Sequence, residues 1–158
     1  KFDVAIDLER LFRVPIKKFN KEIDDVKHKS LIENGWKEVN VNGVDYLELP
    51  SELHEIYAEA IAEGLVEFRF KSNQSRSLDL MPTVSFAVTN KASKLPLVYR
   101  TEFDENNKRK LVIETGVNGV QVFNSPLVND IISGVDTDIN FIDKFKDCIK
   151  NSIIEYYK

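Results

Sequence analysis

The chain has 158 residues, 42% of them apolar and 30% charged, with a formal charge of −4. That balance suits an ordinary globular protein with a real core, and it excludes collagen-like, polyanionic and disulfide-stapled chains, since Cys148 is the only cysteine. No apolar run approaches the ~20 residues of a membrane helix, so no membrane association is expected. A lone cysteine further leans towards a soluble, cytoplasmic protein. The chain opens at Lys1 without a methionine, which leaves a processed or excised chain open.

Taken in order, Asp3 to Phe12 places Val4, Leu8, Leu11 and Phe12 at helical spacing. Pro15 suits the first turn of a second helix, where its missing N–H costs nothing. That helix would carry Ile16, Phe19, Ile23 and Val26 on one face and end at Asn34-Gly35. Trp36 to Leu49 then reads as a hairpin around Asn42-Gly43, the signature of a two-residue type I′ turn. The implied register pairs Val41 with Val44, Val39 with Tyr46 and Lys37 with Glu48, and brings Trp36 and Leu49 together on the other face. Pro50-Ser51 opens a third helix with Leu53, Ile56, Tyr57, Ala60 and Ile61 inward, closed by Gly64.

From Leu65 to Phe123 the pattern turns to alternation. Val66 to Lys71, Thr83 to Thr89, Leu97 to Phe103 and Lys110 to Thr115 read as strands, with a polar loop at 72–77 and a turn at Asp104 to Asn107. A second Asn-Gly turn, Asn118-Gly119, leads to Val122 and Phe123. A short helix follows Pro126, and a final helix from about Asp138 stripes Ile142, Phe145, Ile149, Ile153 and Tyr156. The pattern predicts a single α+β domain over 1–158: an antiparallel four- or five-stranded sheet, N-terminal helices plus hairpin, and a C-terminal helix packed on the sheet. Its sub-units would be 1–64 and 65–158.

Little in the sequence points to chemistry. His28 and His54 lack a ligand partner at zinc spacing, and Cys148 sits beside an apolar stripe as a buried structural thiol. The six glycines fall at turns and caps, which leaves no phosphate cradle. No cofactor is expected. Three functional readings follow. The first is a non-enzymatic binding or regulatory module acting on a protein partner or as a homo-oligomer. Its surface would include an apolar patch at Trp36, Tyr46 and Leu49 and a cationic sheet face with Arg69, Lys71, Arg100 and Lys110, joined by Arg76 in the adjoining loop. The second is DNA binding: residues 7–23 have helix-turn-helix spacing, with Lys17, Lys18, Asn20 and Lys21 on the recognition helix and the 36–49 hairpin as wing. Residues 1–36 carry only one net positive charge, which gives a weak counterion-release contribution. The third is a metal-dependent nuclease or other hydrolase gathering Asp79, Glu102, Asp104 and Glu114 near Lys110.

Overall fold

The Asn42-Gly43 turn organises the N-terminal part of the molecule, with φ of 54° and 80° at its two central residues. A positive φ at both positions gives the turn the twist of the strands it joins. Those strands, β2 (Lys37–Val41) and β3 (Val44–Glu48), pair in the predicted register, Val41 with Val44, Val39 with Tyr46 and Lys37 with Glu48. Asn40 locks the turn: its Nδ2 donates to Asp45 Oδ1 at 2.6 Å, and its Oδ1 accepts from the Gly43 N–H at 3.1 Å. The computed structural model describes residues 4–16, 23–67, 85–90, 98–107, 109–114, 118–131 and 136–158. The chain divides into two compact units, Lys1–Ala60 with Ser152–Lys158, and Ile61–Asn151. Among the described residues no helix is long and apolar enough to cross a membrane.

In the first unit, α1 is a single turn (Leu8–Leu11) in place of the helix expected from Asp3. Asp7 caps it by accepting from the Glu9 N–H at 3.1 Å, which starts the helix there. The chain then forms β1 (Arg13–Pro15), antiparallel to β3, where a second helix is expected to begin. Pro15 is tolerated because β1 is an edge strand and a proline there removes no necessary ladder bond. The second helix, α2, runs only over Asp25–Glu33. Its start is fixed by Asp24, whose carboxylate accepts from the Lys27 N–H at 2.8 Å. Its end is at Asn34-Gly35 as predicted, with Gly35 at φ 86°.

The sheet order is β1-β3-β2. Successive residues of the central strand point to opposite faces, and both Tyr46 and Leu47 are buried, at 3% and 0% exposure. Tyr46 therefore belongs to the core and not to the apolar partner surface expected of it. Its hydroxyl donates to Glu9 Oε1 at 3.1 Å. Trp36 and Leu49 are half-buried.

The third helix, α3 (Ser51–Glu67), runs through Gly64 and takes up Val66 and Glu67, which were expected to begin a strand. A mid-helix glycine costs only about 1 kcal/mol relative to alanine, less than ending the helix early would forfeit. Its buried stripe is His54, Ala58 and Ala62, four residues apart, while Ile56 and Tyr57 are 62% and 49% exposed. The helix is thus rotated from the predicted face, of which Leu53 and Ile61 stay half-buried.

The second unit contains β4 (Ser85–Val88), β5 (Val98–Phe103), β6 (Arg109–Glu114), β7 (Gln121–Asn124), α4 (Leu127–Ile131) and most of α5 (Phe141–Tyr156). The four- or five-stranded sheet is not what the described residues form. They pair as two antiparallel ladders, β4 with β7 and β5 with β6. The β5–β6 turn falls at Asp104–Asn107 as predicted, with Asn107 at φ 60°. Long-range contacts select the β4–β7 pair. Asn124 on β7 is buried; its Oδ1 accepts from Ser85 Oγ at 2.6 Å and its Nδ2 donates to the Asp136 carbonyl at 3.1 Å. Phe86 of β4 and Phe123 of β7 both meet Phe145 of α5, at centroid distances of 4.1 and 6.1 Å. The expected strand residues 68–71 and the loop at 72–77 lie outside the described residues.

Asp138 opens α5. Its Oδ1 accepts from the Asn140 N–H at 2.8 Å, and its Oδ2 pairs with Lys144. The Lys144 hydrogen bond, joined by that N–H, holds the Asp138 carboxyl below its ordinary 3.8. A depressed carboxylate contributes stability that is present above the unfolded pKa and is lost as pH falls through the folded one. Asp138→Asn should therefore flatten the acid limb of the stability profile below about pH 4. Urea midpoints at pH 7 and pH 3 check this, and an equal acid loss in both proteins would refute it.

Candidate functional site

Two constellations of the first unit gather side chains that could act together. One surrounds the C-terminal Tyr157. Phe12 stacks on His54 with centroids 4.7 Å apart and an interplanar angle of 22°, and Tyr157 lies 4.9 and 5.0 Å from those two rings. Arg13 lies over Tyr157 at 4.7 Å and donates through Nε to Glu48 Oε2 at 2.7 Å. Burial pulls the Arg13 pKa down, but the hydrogen bond and charge of Glu48 more than offset this, and the guanidinium is held above its ordinary value.

The hydrogen bonds that the cluster makes are structural ones. His54 Nε2 donates to the Leu49 carbonyl at 2.9 Å, which fixes its tautomer. The Tyr157 hydroxyl donates to the Leu8 carbonyl and accepts from the Phe12 N–H at 3.0 Å. The cluster is a clasp that ties the chain end to α1 and β1. Burial raises the Tyr157 pKa above 10.0, against the opposing pull of the Phe12 N–H and Arg13. A raised pKa contributes stability that is fully present below the unfolded value and is lost as pH rises through the folded one. Tyr157→Phe should therefore be less stable at pH 8, by about 1–3 kcal/mol for the hydrogen bonds lost, and its stability should decline less steeply above pH 10. Parallel profiles from pH 8 to pH 11 would exclude this role.

The second constellation is a groove. Gly35 reverses the chain at the end of α2, with its N–H on the Ile32 carbonyl at 3.0 Å, and the Trp36 N–H reaches the Leu31 carbonyl at 3.1 Å. Trp36 is thereby set beside the last turn of α2. Ile32 and Trp36 supply the apolar part of an open groove of about 620 Å³, and His28, Lys29, Glu33, Lys37 and Glu38 surround them. His28 Nε2 and Glu38 Oε1 stand 2.9 Å apart, joining α2 to β2. None of the residues of α2 is buried; Val26 is 78% and Ile32 41% exposed.

Of the residues predicted to form a site, Trp36 lies in this groove. Lys17, Lys18, Asn20 and Lys21 lie outside the described residues, as do Arg69, Lys71, Arg76 and Asp79. Within the helix-turn-helix expected over 7–23, Arg13–Pro15 form a strand, and residues 17–22, most of the expected recognition helix, lie outside the described residues. Two of the residues expected to converge, Glu102 and Glu114, take separate positions in the β5–β6 ladder. Glu102 pairs with Lys110 near the turn, whereas Glu114 pairs with Val98 four residues away, about 13 Å along the strand. Arg100 pairs with Val112 between them. Among the described residues no group of three or more His, Cys, Asp or Glu is placed to hold a metal ion. Cys148 is half-buried, against the buried thiol expected, and its Sγ–H donates to Gln121 Oε1 at 3.4 Å.

Sequence reasoning missed the role of Asp24, although an aspartate before a helix is a known start signal. The Arg13–Glu48 pair had no local signal.

The fold and the groove define a mixed helix-and-strand protein with small antiparallel sheets. No family model matches the chain, and neither a curated protein nor a solved structure matches it.

Proposed function

We propose that this protein is a non-enzymatic binding or regulatory module that engages a polypeptide partner through the groove between α2 and Trp36. The observation that carries the reading is that α2 buries none of its residues while its last turn walls an apolar groove. A helix of nine residues is marginal on its own, and such helices draw their stability from a packed face. His28 and Leu31 of α2 are half-buried, and Val26 and Ile32 leave apolar surface for a partner to cover. Tryptophan is among the residues that most often dominate binding energy, through large area and little conformational freedom.

Trp36 is the only tryptophan, so its fluorescence reports on the groove directly. Random dodecapeptides displayed on phage and selected on the full chain should yield binders that shift Trp36 emission to shorter wavelength. Ile32→Asp should weaken them by at least about 2 kcal/mol, roughly thirtyfold. Failure to enrich any binder, or binders indifferent to both readouts, would defeat the proposal.

A further inference from the structure

We infer that the partner is held as an extended strand added to the open edge of β2, with an apolar side chain seated in the groove and an acidic residue next to it. This rests on the reading of the groove as a polypeptide contact and specifies the form of the ligand. In a two-residue hairpin the residues flanking the turn, here Val41 and Val44, exchange backbone hydrogen bonds, and bonded and non-bonded pairs then alternate along the ladder. Lys37, Val39 and Val41 thus direct their N–H and C=O groups towards β3. Glu38 and Asn40 direct theirs away from it.

On that side β2 has no neighbour among the described strands, since the order is β1-β3-β2. Both residues are exposed, and their outward backbone groups have no partner among the described residues. The edge therefore offers two N–H and two C=O groups at strand spacing. A helix satisfies its backbone internally and has no use for them, whereas an extended chain pairs with them.

The edge and the groove are continuous, because Lys37 and Glu38 belong to both. Side chains alternate across a strand, so Trp36 and Glu38 share a face. A partner residue opposite Glu38 projects onto that face, beside Trp36 and Ile32. The groove volume of about 620 Å³ lies within the usual range for ligand pockets and accommodates a bulky apolar side chain. Charge selects its neighbour. Glu38 Oε1 is engaged by His28 Nε2 at 2.9 Å, while Lys29 and Lys37, which line the groove with Glu33, make no ion pair among the described residues and can take an acidic neighbour.

A second copy of the chain suits the site less well. Two β2 strands in full antiparallel overlap would place Asn40 opposite Glu38, delivering a polar side chain already bonded to Asp45. The groove would stay open.

The test uses the free synthetic form of the best dodecapeptide selected on the full chain, with backbone N-methyl groups placed one residue at a time. Strand addition predicts an alternating pattern: methylation at every second residue weakens binding at least tenfold, and at the intervening residues by less than threefold. Amide hydrogen exchange at Glu38 and Asn40 should slow at least tenfold on saturation. A peptide that shifts Trp36 emission but shows no alternation and no protection at these amides would overturn strand addition and leave the groove contact standing. Dimerisation in light scattering that protects Glu38 and Asn40 without peptide would overturn it in favour of a second copy. If no peptide is enriched, the groove reading fails first and this inference with it.

Discussion

Truncating Leu47 to alanine is expected to cost about 3–5 kcal/mol, the upper part of the range for a buried leucine. Leu47 is fully enclosed, at 0% exposure. It sits on the central strand, paired on one side with Val14 of β1 and on the other with Glu38 of β2. Ladders on both sides hold the β3 backbone in place, so the cavity left by the lost methyl groups cannot close by a shift of the strand. The cost is the transfer of the missing carbons plus the contacts their neighbours forfeit. Val44 on the same strand is 40% exposed, and Val44→Ala should change stability by only about 0.5 kcal/mol or less. Urea unfolding of both variants, followed by far-ultraviolet dichroism, makes the comparison. A Leu47 variant within 1 kcal/mol of the wild type would show that the sheet centre is not packed as described.

Phe145→Ala should be comparably damaging, about 3–5 kcal/mol. Phe145 is 6% exposed and stacks nearly parallel on Phe86 at 4.1 Å, and it meets Phe123 edge-on at 6.1 Å and 70°. It joins α5 to both strands of the β4–β7 ladder, which gives it more to lose than either strand residue alone. Phe86 is half-buried and also approaches Phe141 at 5.8 Å, so Phe86→Ala should lose less. A double-mutant cycle between Phe86 and Phe145 should give a coupling of about 0.5–1.5 kcal/mol beyond area burial. A coupling indistinguishable from zero would mean that the ring stack contributes nothing specific.

The groove and the clasp differ in how far sequence reasoning could reach them. The hairpin register sets Trp36 and Leu49 together on one face as an apolar patch, and the structure places Trp36 in the groove. Tyr46 is expected in the same patch and is core, because β3 is covered on both faces. Alternation along a strand shows which residues share a face; it does not show whether that face is covered. His54 shows no ligand partner at zinc spacing in the sequence. Its burial depends on Phe12 and Tyr157, which no local pattern associates with it.

What the sequence determined by itself is the local geometry. The Asn42-Gly43 turn, the hairpin register, the Gly35 helix stop and the existence of α3 and α5 follow from backbone preferences acting over a few residues. The tertiary structure decided the rest. It made Pro15 an edge-strand residue, turned α3 onto His54, Ala58 and Ala62, and paired β4 with β7. It also bonded Arg13 to Glu48 across 35 residues and Phe12 to Tyr157 across 145. Such contacts are selected by the free energy of burying a surface together, a property of two distant segments at once that neither carries alone.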